Sequence, residues 1–190
     1  QTGWIHTSGI NPALSDSCSA LTEHLLDQAG AKGYKVSFDV NYRSNLWTAA
    51  AAADAYRGLI PLADVVFAGE EEAALAVGSA TSPAELAERM AGLGPGQAVV
   101  KLGSEGAVAC VDGDLFHQDA VPIAAVDTVG AGDAFVAGYL SELMAGGSPA
   151  ERLELAVKTG AFACLAYGDW EGLPRRAELG LLAQNEAVTR

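Results

Sequence analysis

Cysteine is scarce in this sequence, with three residues, Cys18, Cys110 and Cys164, set far apart. Their odd number and wide spacing exclude a disulfide scaffold and match no zinc-ligand pattern. Each is expected to behave as a small buried apolar side chain in a reducing compartment. The histidines His6, His24 and His117 are equally scattered and read as ordinary core or surface imidazoles. Positive charge is also short: 11 Lys and Arg stand against 24 Asp and Glu, for a net charge of -13. Nucleic acid is thereby excluded as a partner, because phosphate backbones are met by clustered Lys and Arg. No apolar run reaches the roughly 18 residues that a membrane span needs, and no secretory leader opens the chain. A cytoplasmic location without a membrane partner is the expectation. No G-x-G-x-x-G follows the first apolar strand, which argues against a dinucleotide-dependent dehydrogenase.

What the 190 residues do have is apolar content, 50% of the total, enough for a sizeable core. Short runs rich in Val, Ile and Phe alternate with longer stretches of helical period, the mark of a mainly parallel sheet flanked by helices. Strands are predicted at 4–8, 35–40 and 64–68. Helices are predicted at 16–33, with Leu21, Leu25 and Leu26 as its apolar residues, at 48–63, and at 82–93, where Ser82 is the N-cap and Pro83 the first helical residue. "QAVVKLG", "GAVACVDG" and "DLFHQDAV" follow at hairpin spacing and predict an antiparallel edge. Further helices are predicted at 131–145, 149–167 and 175–184. No repeat, low-complexity tract or linker divides the chain. Its start, "QTGWIHTSG", lacks an initiator Met and enters a strand at once, so the chain is expected to begin inside a fold.

Ligands of open α/β sheets bind beyond the carboxyl ends of the strands, which directs attention to "DVNYR", "GEEE" and "DTVGAGD". In the last, Gly130, Ala131 and Gly132 at a helix start expose backbone N–H groups with no side chain in the way, and the helix dipole adds its positive end. A carboxylate at Asp133 beside such an anion nest can take a proton from a hydroxyl while the nest holds the charge that moves, an arrangement suited to phosphoryl transfer. The plainer alternative is a helix N-terminus capped by Asp127 or Thr128. Three Glu in the first turn of a helix, in "GEEE", are favoured by the dipole alone. Arg43 follows a strand end in a chain poor in cations and can pair bidentately with a carboxylate or phosphate.

"DTVGAGDAFVAGYL" resembles the C-terminal signature of the ribokinase-like (PfkB-type) carbohydrate kinases. "SFDVNYRSNLW", "INPALSDS" and "YGDWEGLPRRAEL" are similar to segments of that family's 2-keto-3-deoxygluconate kinase branch. The resemblance implies a Rossmann-like three-layer α/β/α fold, with a mainly parallel sheet and an antiparallel edge hairpin. It also implies ATP-dependent phosphorylation of the terminal hydroxyl of a sugar acid, with Mg2+ and a monovalent cation such as K+. It assigns Gly130, Ala131 and Gly132 to the anion hole and Asp133 to the base. Arg43, Asp133 and Asp169 go to the sugar, and Asn41, Lys101, Gly103, Gly106 and Thr128 join Gly130 and Gly132 along ATP. Glu72 is assigned to Mg2+ and Asp127 to the cation sites. Gly69 departs from the family pattern, which has Asn there.

The resemblance covers nearly all of residues 1–190 but only the later part of a family member. The N-terminal strands, a Gly-Gly substrate motif and the small β-sheet lid are expected to be missing, and the full-length protein is expected to be a homo-oligomer. Two other readings stay open: a kinase of the same family acting on fructose, ribose or a nucleoside, and a non-catalytic nucleotide- or sugar-binding fragment.

Overall fold

The structure, a computed structural model, describes the backbone of residues 3–187 and the side chains through Leu182; Gln1 and Thr2 of the quoted start lie outside the described residues. Six strands form one sheet in chain order: β1 (Trp4–Ser8), β2 (Lys35–Asp39), β3 (Val65–Gly69), β4 (Gln97–Lys101), β5 (Ala107–Val111) and β6 (Asp114–Gln118). β1 to β4 run parallel, and the sheet is completed by antiparallel strands. Ser37 to Asp39 and Val65 to Ala68 are buried in succession, so both faces of β2 and β3 are covered. Their near-continuous Val and Phe content follows from that. The antiparallel edge turns at Asp112 and Gly113, whose φ angles of 52° and 93° are those of the tight Asp-Gly hairpin.

Seven α-helices are described: α1 (Ile10–Leu14), α2 (Asp16–Ala31), α3 (Ala49–Leu59), α4 (Glu70–Val77), α5 (Pro83–Ala91), α6 (Ala131–Met144) and α7 (Pro149–Ala163). α5 starts as predicted, with Ser82 accepting from the Glu85 amide and Pro83 at the first position. α7 uses the same device with Ser148, Glu151 and Pro149.

Several expectations need correction. The helix of 48–63 stops at Leu59 and continues as a 3-10 turn, Ile60–Leu62, because Pro61 has no N–H to extend the α-ladder. α7 ends at Ala163, with Cys164 as its C-cap. The last predicted helix is a 3-10 segment, Arg176–Ala187. On α2 the inward stripe is Thr22, Leu26 and Ala29, while Leu21 and Leu25 are exposed. Thr22 tolerates burial because its hydroxyl donates to the Cys18 carbonyl. Only Cys110 is buried; Cys18 and Cys164 are partly exposed. α1 was not predicted, being a single short turn of helix.

The chain resolves into two compact units, one running to Leu102 and including Val108–Phe116, the other comprising Gly103–Ala107 and the chain from His117 onward. The core of the first gathers Val36, Phe38, Val40, Tyr56, Val66, Met90 and Val100 from strands and helices alike. In the second, α6 and α7 pack against each other. There Gly138 is required by contact, since a Cβ on it would lie 2.2 Å from Thr159 Oγ1.

Candidate active site

In the first unit the carboxyl ends of the parallel strands carry an ionic cluster. Asp39 closes β2 at 3% exposure, and its Oδ1 accepts a bond from Lys101 Nζ at 2.8 Å. Lys101 closes β4, two strand spacings from β2, about 10 Å, so its side chain lies across β3. Burial pushes the Asp39 carboxyl above its ordinary value. The charge of Lys101 and its hydrogen bond oppose the shift, Glu72 adds to it and His6 weakly opposes it. The family resemblance assigns Lys101 to ATP; here its ammonium is paired with Asp39. Asp39, the first residue of "DVNYR", received no role from the sequence, although a carboxylate near the end of the apolar run "KVSFDV" is an anomaly that marks it.

Beyond Asp39 the chain makes a sharp departure from the sheet. Asn41 has φ 43°, a left-handed conformation that Asn tolerates better than most residues. The Tyr42 amide then donates to Glu72 Oε1 at 2.8 Å, while the Gly69 amide donates to Glu72 Oε2 at 2.6 Å. Both carboxylate oxygens of Glu72 are thus engaged by backbone. Arg43 is exposed and its guanidinium donates to the Tyr42 carbonyl. The loop closes with the Leu46 amide bonded to the Arg43 carbonyl and the Tyr42 hydroxyl donating to the Trp47 carbonyl. Trp47 packs edge-on against Tyr56, with centroids 5.4 Å apart. Tyr56 is fully buried, and burial, followed by the charge of Glu72, raises its pKa. Gly9, after β1, admits no side chain, because a Cβ there would meet the Val40 carbonyl oxygen at 2.0 Å.

In the second unit the glycine turn has a geometry the capping alternative did not foresee. The N-cap of α6 is Gly130, in the left-handed region at φ 76° and without a side-chain cap. Asp127 instead holds the approach to the helix, Oδ1 accepting from the Val129 amide and Oδ2 from the Gly168 amide. These two bonds pull its pKa below the ordinary value. The Val126 amide bonds the Cys164 carbonyl, fastening the turn to the end of α7. A Cβ on Gly130 would lie 2.1 Å from the Asp169 carbonyl oxygen, so Asp169 is brought against the turn. The amides of Gly132 and Asp133 lie in the first helical turn, where the α-pattern supplies no acceptor. Both residues are exposed, as is Thr128, and Ala131 is partly so.

Gly103 opens a 3-10 turn at φ 59°. Gly106, at φ 103°, lies where a Cβ would strike the Gln118 carbonyl at 2.0 Å. Among the described residues no group of three or more His, Cys, Asp or Glu is gathered as for a metal ion. No helix among them is long and apolar enough to cross a membrane.

The first unit is thus an open α/β sheet with polar groups at its carboxyl edge, and the second carries a glycine turn that opens a helix; together these elements define an open-sheet α/β protein. The pfkB family carbohydrate kinase model matches residues 2–176, and the chain belongs to that family. It is 36% identical over 165 residues to 2-dehydro-3-deoxygalactonokinase of Haloferax volcanii, covering 86% of this chain and 52% of that protein. It is 38% identical to a fructokinase of Klebsiella pneumoniae, with 93% and 59% covered, and 35% identical to 2-dehydro-3-deoxygluconokinase of Bacillus subtilis, with 93% and 55% covered. Aminoimidazole riboside kinase from Salmonella enterica, solved with aminoimidazole riboside and an ATP analogue, superposes at a TM-score of 0.83. Its identity is 27%, with 95% of this chain and 62% of that chain covered. The fold is therefore ribokinase-like α/β, and the chain spans 52% to 59% of the length of these three curated relatives.

Proposed function

We propose that the protein carrying this chain is an ATP-dependent sugar kinase that phosphorylates the terminal hydroxyl of 2-keto-3-deoxygluconate. The observation that carries the reading is the left-handed Gly130 turn, which opens α6 with bare amides and an exposed Asp133 three residues on. Backbone N–H groups at a helix start favour an anion, and an uncapped turn leaves them available to the transferred phosphoryl group. The Asp133 carboxylate accepts the proton of the attacking hydroxyl, and the amides of Gly132 and Asp133 hold the negative charge on the phosphoryl oxygens; the Ala131 amide, which the resemblance assigns to the same task, is bonded to the Thr128 carbonyl at 3.3 Å. Mg2+ bound with the nucleotide would neutralise charge on the phosphates, a task that needs few protein carboxylates. Asp169, whose backbone abuts the turn, orients the sugar hydroxyls.

Arg43 supports the choice of an acid sugar. It is an exposed guanidinium on a loop held by Glu72, in a chain with few cations, and its planar fork suits a carboxylate. The 38% identity to a fructokinase favours a second reading, a neutral ketose as substrate. ADP release with Mg-ATP, measured with the keto acid beside fructose and ribose, separates the two. Preference for the keto acid supports the proposal, and preference for fructose gives the site to the neutral sugar. No turnover with any sugar leaves a nucleotide- or sugar-binding role.

A further inference from the structure

We infer that Glu72 is a positioning residue for the loop that presents Arg43, and that through this loop its carboxylate acts on sugar-acid recognition. The inference rests on the sugar-kinase reading above for its kinetic consequence, and on geometry alone for its structural one. Glu72 stands at the third position of α4, and its side chain turns back so that Oε2 accepts from the Gly69 amide at 2.6 Å. Its other oxygen reaches across to the Tyr42 amide at 2.8 Å, a partner 30 residues earlier in the chain. The fold-back does not depend on glycine at 69, since a Cβ there would sit 3.4 Å from Oε2, in ordinary contact.

Tyr42 lies between Asn41, which holds an unfavourable left-handed φ of 43°, and Arg43. A bond from a carboxylate to the amide between them is of the strong, charge-assisted kind. It fixes the peptide that aims the guanidinium, and it fixes it to the N-terminus of α4, which the buried β3 places. Inside the loop, the Arg43 carbonyl is tied to the Leu46 amide and the Tyr42 hydroxyl to the Trp47 carbonyl, so the segment moves as one piece with its anchor. Releasing the anchor lets Arg43 swing without removing it.

The test uses Glu72→Gln and Glu72→Ala beside the unaltered protein, with two readouts. In kinetics, Glu72→Ala is expected to raise KM for the keto acid by about tenfold, the loss of a hydrogen bond to a charged group. kcat and the KM for a neutral sugar stay within about twofold, since a uniform binding loss spares the chemical step. Glu72→Gln, which keeps one acceptor oxygen, is expected to fall between. In hydrogen exchange, the Tyr42 and Gly69 amides are protected in the unaltered protein and lose protection in Glu72→Ala, while Glu72→Gln keeps one of them slow. An unchanged keto-acid KM overturns the inference, and so does a Tyr42 amide that exchanges equally in all three proteins. If the unaltered protein turns over no sugar, the kinase reading fails by itself, and amide exchange still decides whether Glu72 holds the loop.

Discussion

The loop after β2 and the turn before α6, the two places where the proposed function puts anions, are built in opposite ways. The first is held by side chains: Glu72 grips the backbone at Tyr42, Lys101 neutralises the buried Asp39, and Trp47 leans on Tyr56. The second is held by backbone shape, with a left-handed Gly130 as N-cap and a neighbouring carbonyl where a side chain would be. A site that recognises a substrate's fixed charge gains from a cation aimed by a rigid scaffold. A site that must receive charge as it moves gains from amides that need no reorganisation. The contrast teaches that the two halves should fail differently, the turn through chemistry and the loop through affinity or stability.

The sharpest break in that contrast is Asp133→Asn. Turnover is expected to fall by about 10²- to 10⁴-fold, as for a positioned base, with nucleotide affinity by calorimetry nearly unchanged. Normal turnover would take the carboxylate out of the chemistry and leave the turn a plain helix start.

Next in size is the buried pair of the first unit. Asp39→Asn leaves the Lys101 ammonium, 18% exposed as a side chain, without its partner, and denaturant unfolding should show a loss of about 3 kcal/mol. The double variant Asp39→Asn, Lys101→Met is expected to recover most of it, because an apolar replacement removes the unpaired charge along with the pair. Equal losses for the single and double variants would show that the two side chains are not coupled.

A smaller effect is expected at the glycine of the turn. Gly130→Ala combines a φ of 76° with a Cβ pressed on the Asp169 carbonyl, and about 2 kcal/mol should be lost in the same unfolding assay. Gly58, inside α3 with open space around a built Cβ, supplies the contrast. Gly58→Ala should gain up to about 1 kcal/mol.

The smallest effects are in pH, and they have opposite signs in the two regions. Asp127 has its pKa lowered by the Val129 and Gly168 amides. It therefore favours the folded turn above its ordinary value of 3.8, and that contribution is lost as pH falls through 3.8 and below. Asp39 has its pKa raised, chiefly by burial. Its contribution is fully present below 3.8 and declines as pH rises toward its folded value. An NMR titration should find the Val129 and Gly168 amides moving together with a midpoint below 3.8, and the Asp39 carboxyl with a midpoint above it. A shared midpoint would erase the distinction between the two regions.

Much of this was legible in the sequence. The alternation of strands and helices was plain because apolar period is a local property. The starts of α5 and α7 were equally plain, since Ser-Pro at a helix start is a complete signal within four residues. "DTVGAGD" pointed to the Gly130 turn for the same reason: a glycine at a helix entrance admits the left-handed backbone that other residues disfavour. Helix ends were less legible. Pro61 halted α3 inside a stretch of helical period, and Leu21 and Leu25 lay one position off the stripe that the core selects.

The sequence by itself determined the α/β alternation, the helix N-termini, the glycine turn and the carbohydrate-kinase family, because each depends on residues close along the chain or on a contiguous motif. Tertiary structure alone decided the distant partners of Asp39, Glu72 and Asp127, beside the local amides of Gly69 and Val129. A carboxylate can bond any N–H that the fold brings within about 3 Å, and the N–H groups that reach these three come from Lys101, from Tyr42 and Gly69, and from Val129 and Gly168. Lys101, Tyr42 and Gly168 stand 62, 30 and 41 residues from the carboxylates they serve, a distance over which composition and period carry no information.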